Sequence, residues 1–81
     1  MSNSRPTQAA RIVEYMQKYN GITQFEALRD LGVMRLASRI SELRKRGYII
    51  ESKIEAVKNR FDETVYIKRY SLKVEEQQEI L

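Results

Sequence analysis

The chain has no cysteine and no histidine. Without cysteine there are no disulfides and no thiolate metal ligands, and without histidine the commonest general base and the commonest zinc ligand are both missing. Hard cations bound by carboxylates alone stay open in principle, yet no Asp-rich loop with ligand spacing occurs. Glycine is scarce: Gly21, Gly32 and Gly47 all fall at helix or turn punctuation, so none builds a phosphate-cradling loop. No paired carboxylates stand out for acid–base work, and the chain reads as a protein that is not an enzyme. Long apolar runs are also lacking, the longest being far shorter than the roughly 20 residues of a membrane-spanning helix. The opening MSNSRPTQ has no apolar stretch of the signal-peptide kind. The expectation is a soluble, cytoplasmic protein with no membrane segment, no cofactor, no metal and no evident small-molecule ligand.

What is present is charge and a modest apolar fraction. With 81 residues and 42% apolar content, the chain can build one small mixed domain around a marginal core. Fifteen Lys and Arg against eleven Asp and Glu leave a net charge of +4. A positive excess favours a polyanionic partner, because each phosphate neutralised releases condensed counterions. The same excess also serves plain solubility, so the placement of the charge decides between the two.

Periodicity divides the chain. Residues 1–6 read as a flexible arm. Thr7 is a helix cap, and Ala9, Ile12, Val13, Met16 and Tyr19 follow at helical spacing, which predicts a first helix over 8–19. Asn20-Gly21 ends it, since both tolerate the left-handed conformation. Ile22 is a short strand residue. Thr23 and Glu26 then match the capping-box pattern of a second helix, with Ala27, Leu28 and Leu31 inward and Gly32 closing it. A third helix is predicted over 34–46, with Leu36, Ile40, Leu43 and, one turn on, Gly47 on its buried side. After Gly47 the period changes to two. Strand-like residues at 48–50, 54–57 and 64–72, separated by the polar turn Lys58 to Glu63, predict a long β-hairpin. Its inner face, Ile50, Ile54, Tyr70 and Leu72, is expected to cover the open side of the helices. Four tyrosines, at 15, 19, 48 and 70, read as core or core-edge packing. The face of the fifth, Tyr66, is not assigned. Residues 73–81 form an acidic tail, for which a short helix is one reading, though alone it falls below the length of a stable helix in water.

The fold class this predicts is α+β: a three-helix helix-turn-helix core followed by a β-hairpin wing, over 7–72. The second and third helices, joined tightly through Leu31-Gly32-Val33, have the form of a unit that places its second helix in the DNA major groove. The chain resembles the small winged helix-turn-helix DNA-binding proteins common in phages and integrated mobile elements. The resemblance rests on Ile22-Thr23-Gln24, Glu26-Ala27-Leu28, Leu31-Gly32-Val33-Met34-Arg35-Leu36-Ala37-Ser38-Arg39-Ile40, Leu43-Arg44 and Gly47-Tyr48, and on Arg69-Tyr70-Ser71-Leu72 at the end of the wing. It spans residues 8–72 and implies double-stranded DNA as the partner, without naming a target.

The candidate base-reading residues are Arg35, Ser38, Arg39 and Glu42 of the third helix. Arginine offers two donors to guanine O6 and N7. Glu42 has two readings, as an acceptor from cytosine or as an ion-pair partner of Arg39 or Arg46. Thr23 and Gln24 open the second helix, whose amides face a phosphate in the DNA-bound reading; Thr23 as a simple cap is the alternative. Lys45 and Arg46 are candidate backbone contacts that fix register without reading sequence. Arg44 points sideways, its stem toward the core. On the wing, Lys58, Asn59, Arg60 and Lys68 are the candidate contacts, with Arg60 as the minor-groove probe. Against this, Asn59 is a turn residue in its own right, and Asp62 and Glu63 soften the local charge. Arg69 reads as structural, bonding back toward the helices. Arg5 reads as part of an ordinary terminal arm. The expected role is a small transcriptional regulator, with a homodimer or cooperative array in which the tail's Val74, Ile80 and Leu81 take part. Two alternatives stand beside it: a DNA-bending excision or architectural factor, and a winged-helix protein–protein interaction module.

Overall fold

In a computed structural model, which describes residues 7–73, each element forms where its periodicity predicts, within a residue or two. Helix α1 (Gln8–Tyr19) begins at Thr7, whose hydroxyl accepts from the Ala10 amide (3.1 Å), and ends at Asn20 in the left-handed conformation. Strand β1 (Ile22–Thr23) follows. Helix α2 starts over Gln24–Glu26 and widens into a π turn over Ala27–Leu31. Helix α3 spans Leu36–Lys45, and the hairpin strands are β2 (Ile50–Lys58) and β3 (Thr64–Leu72). The three strands form one antiparallel sheet, ordered β1-β3-β2. Three helices and a hairpin make the expected α+β winged-helix fold. Arg5 and the apolar tail residues lie outside the described residues. Lys73, at the start of the tail, pairs with Glu51 (3.1 Å).

The core gathers one stripe from each element: Ala9, Ile12 and Met16 of α1, Ile22 of β1, Ala27 of α2, and Leu36, Ile40 and Leu43 of α3, with Val33 and Ile50. Fully burying a leucine or isoleucine contributes about 1.5–3 kcal/mol, so the stripe of α3 anchors that helix firmly. Several inward assignments are corrected. Leu28 is 49% exposed, because the π turn aligns Ala27 with Leu31 and rotates Leu28 outward. Gly47, with a φ of 105°, has already left the helix and is exposed. Tyr19 and Tyr48 are exposed, whereas Tyr15 and Tyr70 do pack against the core. Ile54 is 63% exposed, since the hairpin outruns the helices beneath it and only its base is covered. Tyr66, opposite Ala56 in the sheet, shares this uncovered distal face.

Two polar clasps hold the helices. Between β1 and α2, Thr23 accepts from the Glu26 amide while the Glu26 carboxylate accepts from the Thr23 amide (both 3.1 Å). Between α2 and α3, the Gln24 side chain donates to the Val33 carbonyl (2.8 Å) and accepts from the Leu36 amide (2.8 Å). It thereby caps α3 from across the turn, a role Arg35 at the helix's own N-cap position does not fill. On the opposite side, the Tyr15 hydroxyl donates to the Asp30 carboxylate, which Arg29 also binds (2.7 and 2.8 Å). Hydrogen bonds from Arg29 first, then Tyr15, lower the Asp30 pKa from 3.8 to about 2.

Two consequences are measurable. Replacing Gln24 by Ala removes a donor and an acceptor from the turn and should cost about 1–2 kcal/mol in urea melts. Gln24→Glu, which keeps the acceptor, should cost less. Asp30, its pKa depressed by folding, contributes stability above its unfolded pKa that is lost as the pH falls through about 2. Wild type and Asp30→Asn should therefore differ in stability at pH 5, and the difference should fade between about pH 4 and pH 2.

Candidate nucleic-acid interface

Helix α3 buries Leu36, Ile40 and Leu43, and at about 100° per residue this stripe dictates what faces away. Ser38, Ser41 and Lys45 lie opposite it, with Glu42 close by. Arg39 and Arg46 fall on one flank, and Ala37 and Arg44 on the other. Arg44 donates to the Ile50 carbonyl (3.2 and 2.7 Å) and so ties the end of α3 to the start of β2. Ala37 lines a cleft of about 250 Å3 with Lys68 and Tyr70 of β3 and with Thr23, Gln24 and Phe25. That flank therefore faces the wing.

The candidate base readers occupy less uniform ground than one helix face. Arg35 precedes the helix, with φ −126° and ψ 70°, because α3 begins two residues later than its sequence pattern predicts. Its neighbour Met34 is 73% exposed. Arg35 and Arg39 nonetheless come together, sharing a shallow depression with Gln8, Gly32 and Met34 on the flank away from the wing. Arg39 pairs with Glu42 (3.2 Å), both half-exposed, so of the two readings of Glu42 the free protein adopts the ion pair. Such a pair is worth little in water and opens readily for a base or phosphate. Ser38 points outward, as does Ser41, which helical phase alone would have found.

The candidate backbone contacts divide sharply. Thr23 is 3% exposed and its hydroxyl belongs to the capping box. Both ends of the Gln24 amide are engaged in the α2–α3 turn. These two side chains hold the scaffold, Thr23 as a cap of α2 and Gln24 as the clasp of the α2–α3 turn. Lys45 and Arg46, by contrast, are exposed and make no side-chain bond among the described residues.

On the wing, Asn59 is a turn former. Its Oδ1 accepts from the amides of Phe61 (2.9 Å) and Glu63 (3.0 Å), and its Nδ2 donates to the Glu63 carboxylate (3.0 Å). Lys58 reaches the Asp62 carbonyl (3.4 Å). Arg60 is exposed at the tip and unpartnered among the described residues. Lys68 sits over the Tyr70 ring, 6.0 Å from its centre, and faces the cleft shared with Ala37. The structure thus brings Lys68 beside α3 and sets Arg60 far out along the hairpin.

What fixes the wing's angle is Arg69. Its guanidinium binds Glu55 of β2 (2.7 Å) and Glu26 of α2 (3.0 and 3.3 Å), and these carboxylates, Glu55 first, raise its pKa. Its stem lies over Gly21, where an added Cβ would sit 3.0 Å from Cγ and Cδ; the φ of 138° there also disfavours a side chain. Arg69→Met should leave two carboxylates without their cation and lower stability by about 1–2 kcal/mol, read as a drop in Tm. Gly21→Ala should lower Tm as well, by displacing the same side chain.

Among the described residues no helix is long and apolar enough to cross a membrane. No curated protein and no solved structure matches the chain. A family of known sequences does: the pattern of the winged helix-turn-helix domain matches residues 7–75, which include every helix among the described residues, the Gln24-clasped turn and the whole hairpin. The chain belongs to the winged helix-turn-helix domain family.

Proposed function

We propose that the chain is a sequence-specific double-stranded-DNA-binding protein without enzymatic activity, acting in the cytoplasm as a small transcriptional regulator of the phage or mobile-element type. The observation that carries this reading is the partition of polar groups around the helix-turn-helix unit. Thr23, Gln24, Glu26, Arg44 and Arg69 are all engaged internally. Ser38, Ser41, Lys45 and Arg46 on α3, and Arg60 on the wing, make no side-chain bond among the described residues; Lys68 touches only a ring face. Arg39 and Glu42 have only each other. A helix firmly packed behind and uncommitted in front is what major-groove docking demands.

In this reading Arg35, Ser38, Arg39 and Glu42 meet base edges, with Ser41 added to them. Lys45 and Arg46 meet phosphates beyond the end of α3, and Lys68 meets the backbone where it passes between α3 and the wing. A single recognition helix covers a short site, so loading as a homodimer or a cooperative array is part of the proposal.

Selection of bound duplexes from a random library at moderate salt tests it. An enriched motif is expected, with repeated half-sites if the protein loads as pairs. Arg39→Ala should abolish the motif preference, whereas Lys45→Ala should weaken all duplexes alike and reduce the salt slope by about one. Equal losses on all sequences for both variants would contradict the division into readers and anchors. No binding to any duplex at low salt, together with capture of a protein partner, would favour an interaction module instead.

A further inference from the structure

The tip of the hairpin pairs a cation with a bare aromatic ring. Residues 59–62 close a turn through the Asp62 amide and the Asn59 carbonyl (3.0 Å), which puts Arg60 and Phe61 at its apex. Phe61 is 77% exposed, more than any other large apolar side chain among the described residues, and it takes no part in the core. Leaving such a ring in water gains the fold nothing.

The turn beneath it is nevertheless braced. Asn59 alone engages the Phe61 amide and the amide, carbonyl and carboxylate of Glu63. Asp62 adopts the left-handed conformation that closes the loop, with φ 64°. A braced turn holds the ring at the apex and keeps it from folding back on the strands. The charge around it cancels, Lys58 and Arg60 against Asp62 and Glu63. Attraction to phosphates is therefore not what this tip chiefly offers. What it presents is an apolar plate beside an unpartnered guanidinium.

We propose that Phe61 is a wedge. With Arg60 against the floor of the minor groove, the ring enters between two base pairs, partly unstacks them and kinks the duplex. The ring passes from water into an apolar stack, which offsets part of the unstacking. Easily kinked pyrimidine–purine steps should be preferred at that position, giving selectivity where no base edge is read. The proposal rests on the DNA-binding reading above and deepens it, adding a deformation that helix α3 alone does not require.

The test uses the full chain and short duplexes carrying the selected motif, with dyes at both ends for energy transfer and 2-aminopurine at the candidate step. The wild type should bend the duplex by roughly 20–90° and brighten the 2-aminopurine. Phe61→Ala, read at saturating protein, should bind yet leave the duplex nearly straight and the probe dark. Phe61→Leu, still an apolar wedge, should retain most of the bend. Because the ring is exposed, all three proteins should melt alike. A wild type that binds without bending, or a Phe61→Ala that bends equally, overturns the wedge and leaves DNA binding standing. Failure to bind any duplex overturns the reading beneath it. Self-association in sedimentation that disappears in Phe61→Ala would make the tip a contact between copies and would also overturn the wedge.

Discussion

The structure turns on the five residues from Ile22 to Glu26, where four elements are joined. Ile22 and Thr23 pair with Tyr70 and Arg69 of the central strand. Thr23 and Glu26 cap each other's amides at the start of α2. Glu26 also holds Arg69, and Gln24 reaches forward to clasp the turn and cap α3. Each of these bonds is modest once water is accounted for. Together they tie α3 and the wing to the same short segment. Preorganisation of this kind lowers the ordering cost of binding a rigid partner such as a duplex.

This arrangement accounts for how polar side chains are shared out. Groups near the joint are satisfied internally, and no buried side-chain polar atom among the described residues lacks a partner. Among the described residues Lys45 and Arg46 at the end of α3 and Arg60 at the wing tip make no side-chain bond. A net charge of +4 says only that a polyanion is favoured, whereas which cations the fold leaves unpaired is decided by tertiary contacts.

The wing obeys a different rule from the core. Its strands pair along their whole length, from Ile50 with Leu72 to Lys58 with Thr64. The helices cover only its base, so strand periodicity continues after burial has stopped. Alternation in the sequence reports which residues share a face and is silent on whether anything lies against that face. Alternation therefore puts Ile54 on the inner face where nothing among the described residues covers it, and leaves the burial of Tyr66 open. Leu28 departs from its inward expectation for another reason: a π turn shifts helical phase by an amount that an α-helical period does not contain. Arg35 lies before α3 because the cap sets where a helix starts, and here the capping oxygen comes from Gln24, 12 residues before Leu36.

Features that depend on neighbours along the chain are legible without the fold. They are the caps at Thr7, Asn20 and Thr23, the buried stripe Leu36, Ile40 and Leu43, the stop at Gly32, the hairpin turn and the winged-helix order. All of these follow from short-range sterics, amide capping and the two hydrophobic periods. Only the tertiary structure decided which polar residues remain free. Gln24, expected at a phosphate, is held by Val33 and Leu36, and Arg69, expected to bond back toward the helices, finds its partners in Glu26 and Glu55; a hydrogen-bonding side chain looks the same in a sequence whichever partner it meets.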